Sequence, residues 1–273
     1  LIKIKVAKVL ISDPISTSGV QILENSGIEV VDPQKAKKVG LKKTIQQMDG
    51  IIVRSGTIVD EELMKKAKNL QVIARAGVGI DNIDVTYATR KGIVVINTPD
   101  VNTISAAEHT IALLLALSRN LHIAHDKLIN GQWGRHDLIG TELKNKIIGV
   151  IGLGKIGKEV ITRCKSFGMK IIGYDPYVND ENFEKEEIEI LDLDSVIKSA
   201  DYITLHIPLN GSTKNLFNYS NLKKMKPTAR IINVARGGII NEADLAKVLN
   251  DNTIAGAAVD VFSTEPLEDS NPL

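Results

Sequence analysis

The segment from Lys146 to Asp175 constrains the fold of this chain more than any other. An apolar run, Ile147 to Ile151, leads into Gly152-Leu-Gly154-Lys-Ile-Gly157, and an acidic residue follows at Asp175. The apolar run is typical of a strand buried on both faces, and Ile156 to Phe167 has the spacing of an amphipathic helix. The sequence therefore predicts a parallel βα unit with a glycine-rich turn.

Each glycine of this turn meets a different requirement of a dinucleotide site. Gly152 permits the tight turn, Gly154 lets backbone approach a pyrophosphate, and Gly157 lets the helix pack closely on the strand. A second strand, Lys170 to Tyr174, ends at Asp175, whose carboxylate can accept hydrogen bonds from a ribose diol. A 2′-phosphate would meet this negative charge, so NAD is favoured over NADP. The alternative is a glycine-rich turn that binds no ligand.

Composition excludes several other classes of protein. The 273 residues include 34 basic and 33 acidic side chains, so the chain lacks the charge signature of a nucleic-acid-binding protein. The most apolar stretch, Ile111 to Leu117, is too short to cross a bilayer, and no signal peptide is recognisable. The single cysteine, Cys164, excludes an intrachain disulfide and is expected to be buried. We expect a cytoplasmic protein without nucleic-acid or membrane partners.

Alternating strands and helices run along most of the chain. Strands are predicted at Lys8 to Ser12, Ile28 to Val31, Gly50 to Arg54, Gln71 to Arg75, Ile93 to Asn97, Ala200 to His206, Arg230 to Val234 and Ile254 to Val261. Helices are predicted at Ser18 to Asn25, Asp60 to Ala67, Val85 to Lys91, Leu191 to Ser199, Ser220 to Met225 and Glu242 to Asn250. This alternation is typical of α/β parallel-sheet domains.

A turn-rich segment from Asn97 to Asn102 suggests a boundary between two domains, residues 1–98 and 99–273. Beyond it, Ser105 and Glu108 have the spacing of a capping box, which predicts a helix that runs to about Asn130. We expect two parallel-sheet domains with a cleft between them. Ligands of such sheets collect at the carboxyl ends of the strands.

Four further segments carry a family resemblance: Arg75 to Asp84, His206 to Leu209, Asn233 to Gly238 and Val259 to Pro266. Together with the glycine turn they resemble the D-isomer-specific 2-hydroxyacid dehydrogenases over the entire chain. The resemblance implies a flavodoxin-like substrate-binding domain and a Rossmann-like NAD-binding domain. It also implies hydride transfer between C2 of a 2-hydroxy or 2-oxo acid and the nicotinamide ring.

The resemblance implies roles for residues near this chemistry. Arg236 matches the catalytic arginine, whose guanidinium can bind a carboxylate and polarise the C2 oxygen. We expect Gly237 and Gly238 to leave room for its side chain. Glu265 matches the acid that orients the catalytic histidine and favours its protonated form. The N–H groups of Gly77, Val78 and Gly79 form an expected anion-binding nest for the substrate carboxylate, although an ordinary turn would have the same sequence.

The expected NAD contacts also follow from the family. They are Val78, Gly152, Gly154, Lys155, Ile156, Gly157, Asp175, His206, Ile207, Pro208, Val234, Ala235 and Asp260. Lys155 and Ile156 would supply amides to the pyrophosphate, and Asp260 would bind the carboxamide. Ile207 and Val78 stand where relatives often have Thr, so contacts there must be apolar or through the backbone.

Within the family, we expect a phosphorylated substrate, 3-phosphoglycerate. Arg54, with Ser55, and Arg75 follow predicted strands and can bind a phosphate, and Arg135 can reach a site in a second subunit. Each arginine could instead be a solvated surface charge. The resemblance also implies a homodimer or higher oligomer, with an interface at the helix from Ser105 and the region of Trp133. The apolar run Ile111 to Leu117 fits such an interface but could equally belong to a core.

Other functions remain open from sequence. A related dehydrogenase of glyoxylate, hydroxypyruvate or D-lactate would share these segments, and the same architecture also serves NAD-sensing corepressors. In the family, a catalytic histidine follows the Glu-Pro element in a Pro-His segment, and residues 1–273 end before that position. His109, His122, His125, His136 and His206 do not match it; the helical His109, His122 and His125 suit solvated or packed roles. We expect residues 1–273 alone to bind NAD but to turn over negligibly.

Overall fold

A computed structural model describes residues 6–32, 34, 38–99, 101–136, 138–178 and 188–273. The chain divides into two compact units, Leu1–Asn102 and Thr103–Leu273, where the sequence suggested a break after residue 98. Each unit is built on a parallel sheet with helices, which confirms the predicted α/β fold class.

The first unit has a five-stranded sheet of order β2-β1-β3-β4-β5, in which all neighbours are parallel. Its strands are β1 (Lys8–Ile11), β2 (Glu29–Val31), β3 (Gly50–Val53), β4 (Val72–Arg75) and β5 (Val94–Asn97). Its described helices are α1 (Thr17–Asn25), α2 (Leu41–Thr44), a 3₁₀ turn (Ile45–Gln47), α3 (Glu61–Lys66) and α4 (Val85–Arg90). Ser16, Asp60 and Asp84 cap α1, α3 and α4 through side-chain oxygens.

The second unit has a six-stranded parallel sheet of order β11-β10-β9-β6-β7-β8. The strands are β6 (Ile147–Ile151), β7 (Lys170–Tyr174), β8 (Glu189–Ile190), β9 (Tyr202–Leu205), β10 (Arg230–Asn233) and β11 (Gly256–Val259). The helices are α5 (Thr103–Arg119), α6 (Leu121–Ile129), α7 (Lys155–Ser166), α8 (Leu193–Ser199), α9 (Tyr219–Leu222) and α10 (Glu242–Asn250). Among the described residues, no helix combines the length and apolarity needed to span a membrane.

The long helix predicted from Ser105 to about Asn130 is wrong in two respects. Helix α5 already begins at Thr103, so Ser105 lies inside it, and it ends where Asn120 adopts a left-handed conformation with φ 53°. Asn tolerates this conformation better than most residues. The Thr141 amide donates to the Ser118 carbonyl oxygen at 2.7 Å, so a later segment satisfies the end of α5.

Helix α6 and the segment after it carry an exposed apolar surface. No residue of α6 is buried, and Leu128 and Ile129 are 59% and 67% exposed. Trp133 and Ile139 are 81% and 84% exposed. These four side chains, with Leu121, are called the α6 surface below. Large apolar side chains exposed to this degree are typical of protein interfaces when they lie together.

Candidate functional site

The carboxyl edge of the second sheet gathers most of the predicted NAD residues. Strand β6 pairs with β7 on one side and with β9 on the other, so the direction of strand addition reverses beside β6. Ligands of open parallel sheets bind at such a switch point. The loops that leave this edge contain Gly152 to Gly157, Asp175, His206 to Pro208, Val234 to Arg236 and Asp260.

Two of the three turn glycines are required by packing within the protein. Gly152 has φ 95°, and a Cβ there would overlap the carbonyl oxygen of His206. A Cβ on Gly157 would overlap the carbonyl oxygen of Gly152. Gly154 differs, since a Cβ there would have no protein atom within 4 Å. The space beside Gly154 is therefore open to a ligand.

The start of α7 is suited to an anion. Gly154 is its N-cap residue and provides no capping side chain, and the first turn contains no acidic residue. Gly154 therefore offers no capping side chain to the N–H groups of the first turn, and no acidic side chain of that turn competes for them. The positive end of the helix dipole adds to this preference for negative charge.

Asp175 has a structural role that the sequence did not indicate. Its Oδ2 accepts the Leu153 amide at 2.9 Å and its Oδ1 accepts the Tyr177 amide at 2.9 Å. The carboxylate thus braces the glycine turn after β6 from the end of β7. Each carboxylate oxygen can accept a further hydrogen bond, so this bracing leaves capacity for a ribose hydroxyl.

His206 lies at the end of β9 directly against the glycine turn. Its amide donates to the Ile151 carbonyl oxygen at 2.7 Å, and its Nε2 lies 3.0 Å from Thr204 Oγ1. Burial of the imidazole lowers the pKa of His206 to about 4, so the ring is neutral near pH 7. The side chain of Ile207 also lies against Gly152, an apolar contact as expected for Ile at this position.

The loop that carries Arg236 is organised by Asn233, which is only 1% exposed. Asn233 Nδ2 donates to the Arg236 carbonyl oxygen at 2.9 Å, and its Oδ1 accepts the Ala235 amide at 3.0 Å. Its own carbonyl oxygen accepts the Asp260 amide at 3.0 Å. The side chain of Asn233 therefore fixes the loop of Arg236, and its main-chain carbonyl group holds the loop of Asp260. The sequence signal that could have indicated this role is the position of Asn233, a polar residue at the end of an apolar strand.

The glycines after Arg236 serve a purpose other than the expected one. A Cβ on Gly237 would overlap the backbone of Phe262, and Gly238 needs its positive φ of 77°. Gly237 therefore makes room for the backbone at Phe262 rather than for the arginine side chain. The guanidinium of Arg236 donates from Nη1 to the Ala235 carbonyl oxygen at 2.6 Å.

The segment after β11 places Glu265 and Asp260. Glu265 Oε1 accepts the Phe262 amide at 3.0 Å. Glu242, at the start of α10, accepts the Ser263 amide at 2.6 Å and so holds the same turn. Asp260 Oδ1 lies 3.2 Å from His109 Nε2, and both side chains are about half exposed. His109, expected in a solvated or packed role, thus contacts a predicted carboxamide-binding residue.

The first unit brings the other predicted loops to the carboxyl edge of its own sheet. Arg54 and Ser55 are exposed after β3, and the loop from Arg75 to Gly79 follows β4. The expected anion-binding nest has two available amides rather than three, because the Gly77 amide donates to the Arg75 carbonyl oxygen at 2.9 Å. Within the described part of the chain, the amides of Val78 and Gly79 have no acceptor.

Two other contacts define the loop after β4. The Arg75 guanidinium packs over Gly77 so closely that a Cβ there would overlap it. Asn97 Nδ2 donates to the Val78 carbonyl oxygen at 2.6 Å, which fixes the loop from β5.

Arg135 is exposed in the second unit, in the segment after α6.

Comparisons with known proteins agree with this geometry. The NAD-binding domain model of D-isomer specific 2-hydroxyacid dehydrogenases matches residues 111–273. The chain is 46% identical to D-3-phosphoglycerate dehydrogenases of Synechocystis sp. and Methanocaldococcus jannaschii, each over 97% of this chain. It spans about half of these relatives, 48% and 51% of their length.

A solved structure supports the same fold. D-lactate dehydrogenase from Aquifex aeolicus, complexed with NAD and lactic acid, superimposes with a TM-score of 0.86 at 29% identity. The match covers 94% of this chain and 78% of that one.

Proposed function

Because the chain belongs to the family of D-isomer specific 2-hydroxyacid dehydrogenases, we propose that the protein oxidises D-3-phosphoglycerate to 3-phosphohydroxypyruvate with NAD. The observation that carries the proposal is the open space at Gly154, beneath an uncapped helix start and beside the braced Asp175. The substrate assignment rests on the relatives named D-3-phosphoglycerate dehydrogenase.

The residues present fit NAD. The first turn of α7 would hold the pyrophosphate, including the amides of Lys155 and Ile156, and Asp175 would accept the ribose hydroxyls. His206, Ile207 and Pro208 would line the site beside Gly152, while Val234, Ala235 and Asp260 would lie toward the nicotinamide. When bound, NAD supplies the acceptor for the hydride that leaves C2 of the substrate.

The chain's own residues would orient the substrate and stabilise its charge. Arg236 would bind the carboxylate and the C2 oxygen, held by a loop that Asn233 fixes. The amides of Val78 and Gly79 would bind the same carboxylate. Glu265 would orient the histidine that the family places after the Glu-Pro element. The neutral His206 adds no positive charge beside the coenzyme.

We also propose the phosphate contacts and the oligomeric state. Arg54, Ser55 and Arg75 would bind the substrate phosphate, with Arg135 contributed by a second subunit. The α6 surface supports a homodimer, because association would remove its exposed apolar side chains from water. The single cysteine fits the proposed cytoplasmic location.

Binding measurements test the proposal without requiring turnover. Gly154→Thr keeps a residue that caps helices well but fills the open space, so it should abolish NADH binding measured by calorimetry. Gly211→Thr is a matched control, because Gly211 also has no protein atom near a Cβ and lies in an exposed loop. Both variants should keep the wild-type melting temperature.

Each part of the proposal has a contradicting result. Unchanged NADH affinity in Gly154→Thr would refute the coenzyme site. With NAD present, 3-phosphoglycerate should bind more tightly than D-lactate or glyoxylate. Equal affinities for these acids would refute the phosphorylated substrate.

A further inference from the structure

Two side chains from different parts of the chain hold the loop Arg54 to Thr57. Asp13, which follows β1, accepts the Arg54 amide at 2.6 Å and the Thr57 amide at 3.1 Å. Its second oxygen accepts the Thr57 hydroxyl at 2.9 Å. A Cβ on Gly56 would lie only 3.0 Å from Asp13, so the carboxylate fits closely under the loop.

Asn82, which precedes α4, binds the same two residues through their carbonyl groups. Its Nδ2 donates to the Arg54 carbonyl oxygen at 2.7 Å and to the Thr57 carbonyl oxygen at 2.6 Å. Side chains therefore engage both the N–H and the C=O of Arg54 and of Thr57. The four main-chain hydrogen bonds are called the Asp13–Asn82 bracket below.

The bracket fixes the backbone but leaves the outer side chains of the loop accessible. Thr57 is buried, whereas Arg54 and Ser55 are exposed. The three donors to Asp13 come from main chain and hydroxyl groups, so its charge is satisfied within the loop. In the described part of the chain, no carboxylate pairs with the Arg54 guanidinium, which is therefore available to an anion.

We propose that Asp13 and Asn82 are positioning residues that set the preference for a phosphorylated acid. The inference rests on the proposed function, in which Arg54 and Ser55 receive the substrate phosphate. A mobile loop would have to be ordered when the phosphate binds, and this cost would weaken affinity. The bracket orders the loop during folding, so the cationic and hydroxyl groups are already in place.

The test compares a bracket variant with a matched control. Asn82→Ala removes both donors to the loop, while Asn25→Ala removes the same side chain from an exposed position at the end of α1. In calorimetry with NAD present, Asn82→Ala should lower the affinity for 3-phosphoglycerate about tenfold more than the affinity for D-glycerate. The control should leave both affinities unchanged. An equal loss for both acids in Asn82→Ala would overturn the specificity role.

Hydrogen exchange in the wild-type protein provides a measurement that does not depend on the variant folding. The amides of Arg54 and Thr57 should be protected because they donate to Asp13, whereas those of Ser55 and Gly56 should exchange quickly. Fast exchange at Arg54 and Thr57 would overturn the bracket itself. Protected amides in a protein that does not bind 3-phosphoglycerate would instead contradict the proposed substrate and leave the bracket standing.

Discussion

The neutral imidazole of His206 gives a prediction about stability at mild acidity. Burial lowers its pKa to about 4, below the ordinary value of 6.5. Between these values the unfolded chain binds a proton that the folded chain does not bind. Stability should therefore fall as the pH decreases from 6.5 toward 4, since protonation favours the unfolded state.

The size of the effect follows from the two pKa values. One pKa unit corresponds to about 1.4 kcal/mol, so the complete difference between pH 8 and pH 3 is about 3 kcal/mol. At pH 5 the unfolded histidine is almost fully protonated and the folded one is mostly neutral. The contribution of His206 at pH 5 is therefore a loss of about 2 kcal/mol in the free energy of unfolding.

Urea unfolding at pH 5 and pH 7.5, followed by circular dichroism, measures this loss. His206→Gln retains an amide that can bond to Thr204 but removes the titrating ring, so its pH dependence should be smaller than that of wild type by about 2 kcal/mol. His122→Gln, at an exposed position on α6, should behave as wild type. The same pH dependence in His206→Gln and wild type would refute the reasoning.

Four further predictions follow from individual contacts. Burial raises the pKa of Cys164 to about 12, so this thiol should react with Ellman's reagent only after unfolding, and rapid reaction of the native protein would contradict this. Gly157→Ala should lower the free energy of unfolding by about 1–3 kcal/mol in urea titrations, despite a better helix propensity, because its Cβ would overlap the Gly152 carbonyl; unchanged stability would contradict the packing. Asp175→Ala should weaken NADH and reduce its advantage over NADPH in calorimetry, whereas an unchanged ratio would remove the ribose assignment. Ile129→Glu should convert a dimer to a monomer in sedimentation velocity without lowering the melting temperature, and an unchanged sedimentation coefficient would argue against the α6 surface as the interface.

Local sequence patterns predicted the strands and helices well where an apolar run or a capping residue marks the element. Strand β7 and helix α10 have the predicted bounds, because β7 is an apolar run and Asn241 caps α10. Strand β8 was not predicted, since its two residues form a strand only by pairing with β7. The break at Asn120 was missed for a similar reason, because Thr141, which bonds to the Ser118 carbonyl oxygen, lies 23 residues further along the chain.

The features of the candidate site also differ in whether local sequence could predict them. The glycine turn was predictable, since its three glycines are spaced within one βα unit, whereas the packing of Gly152 against the His206 carbonyl oxygen was not. The bracing by Asp175 was not predictable from periodicity, because it joins loops that follow different strands. The role of Asn233 was not predictable either, because its side chain bonds within one loop whose conformation the residue spacing does not reveal. The loss of the Gly77 amide from the anion-binding nest depends on the conformation of a single turn, which residue type alone does not determine.

Polar side chains, rather than apolar contacts, fix the loops at both sheet edges. Asp13 and Asn82 hold the loop after β3, Asp175 holds the glycine turn, and Asn233 holds the loop of Arg236. Each hydrogen bond contributes about 1 kcal/mol, which is small beside the burial of an entire sheet. Removing one bracing group should therefore disorder a single loop before it unfolds a unit. Loss of affinity with retained stability is accordingly the expected signature of these residues, and it separates them from residues of the core.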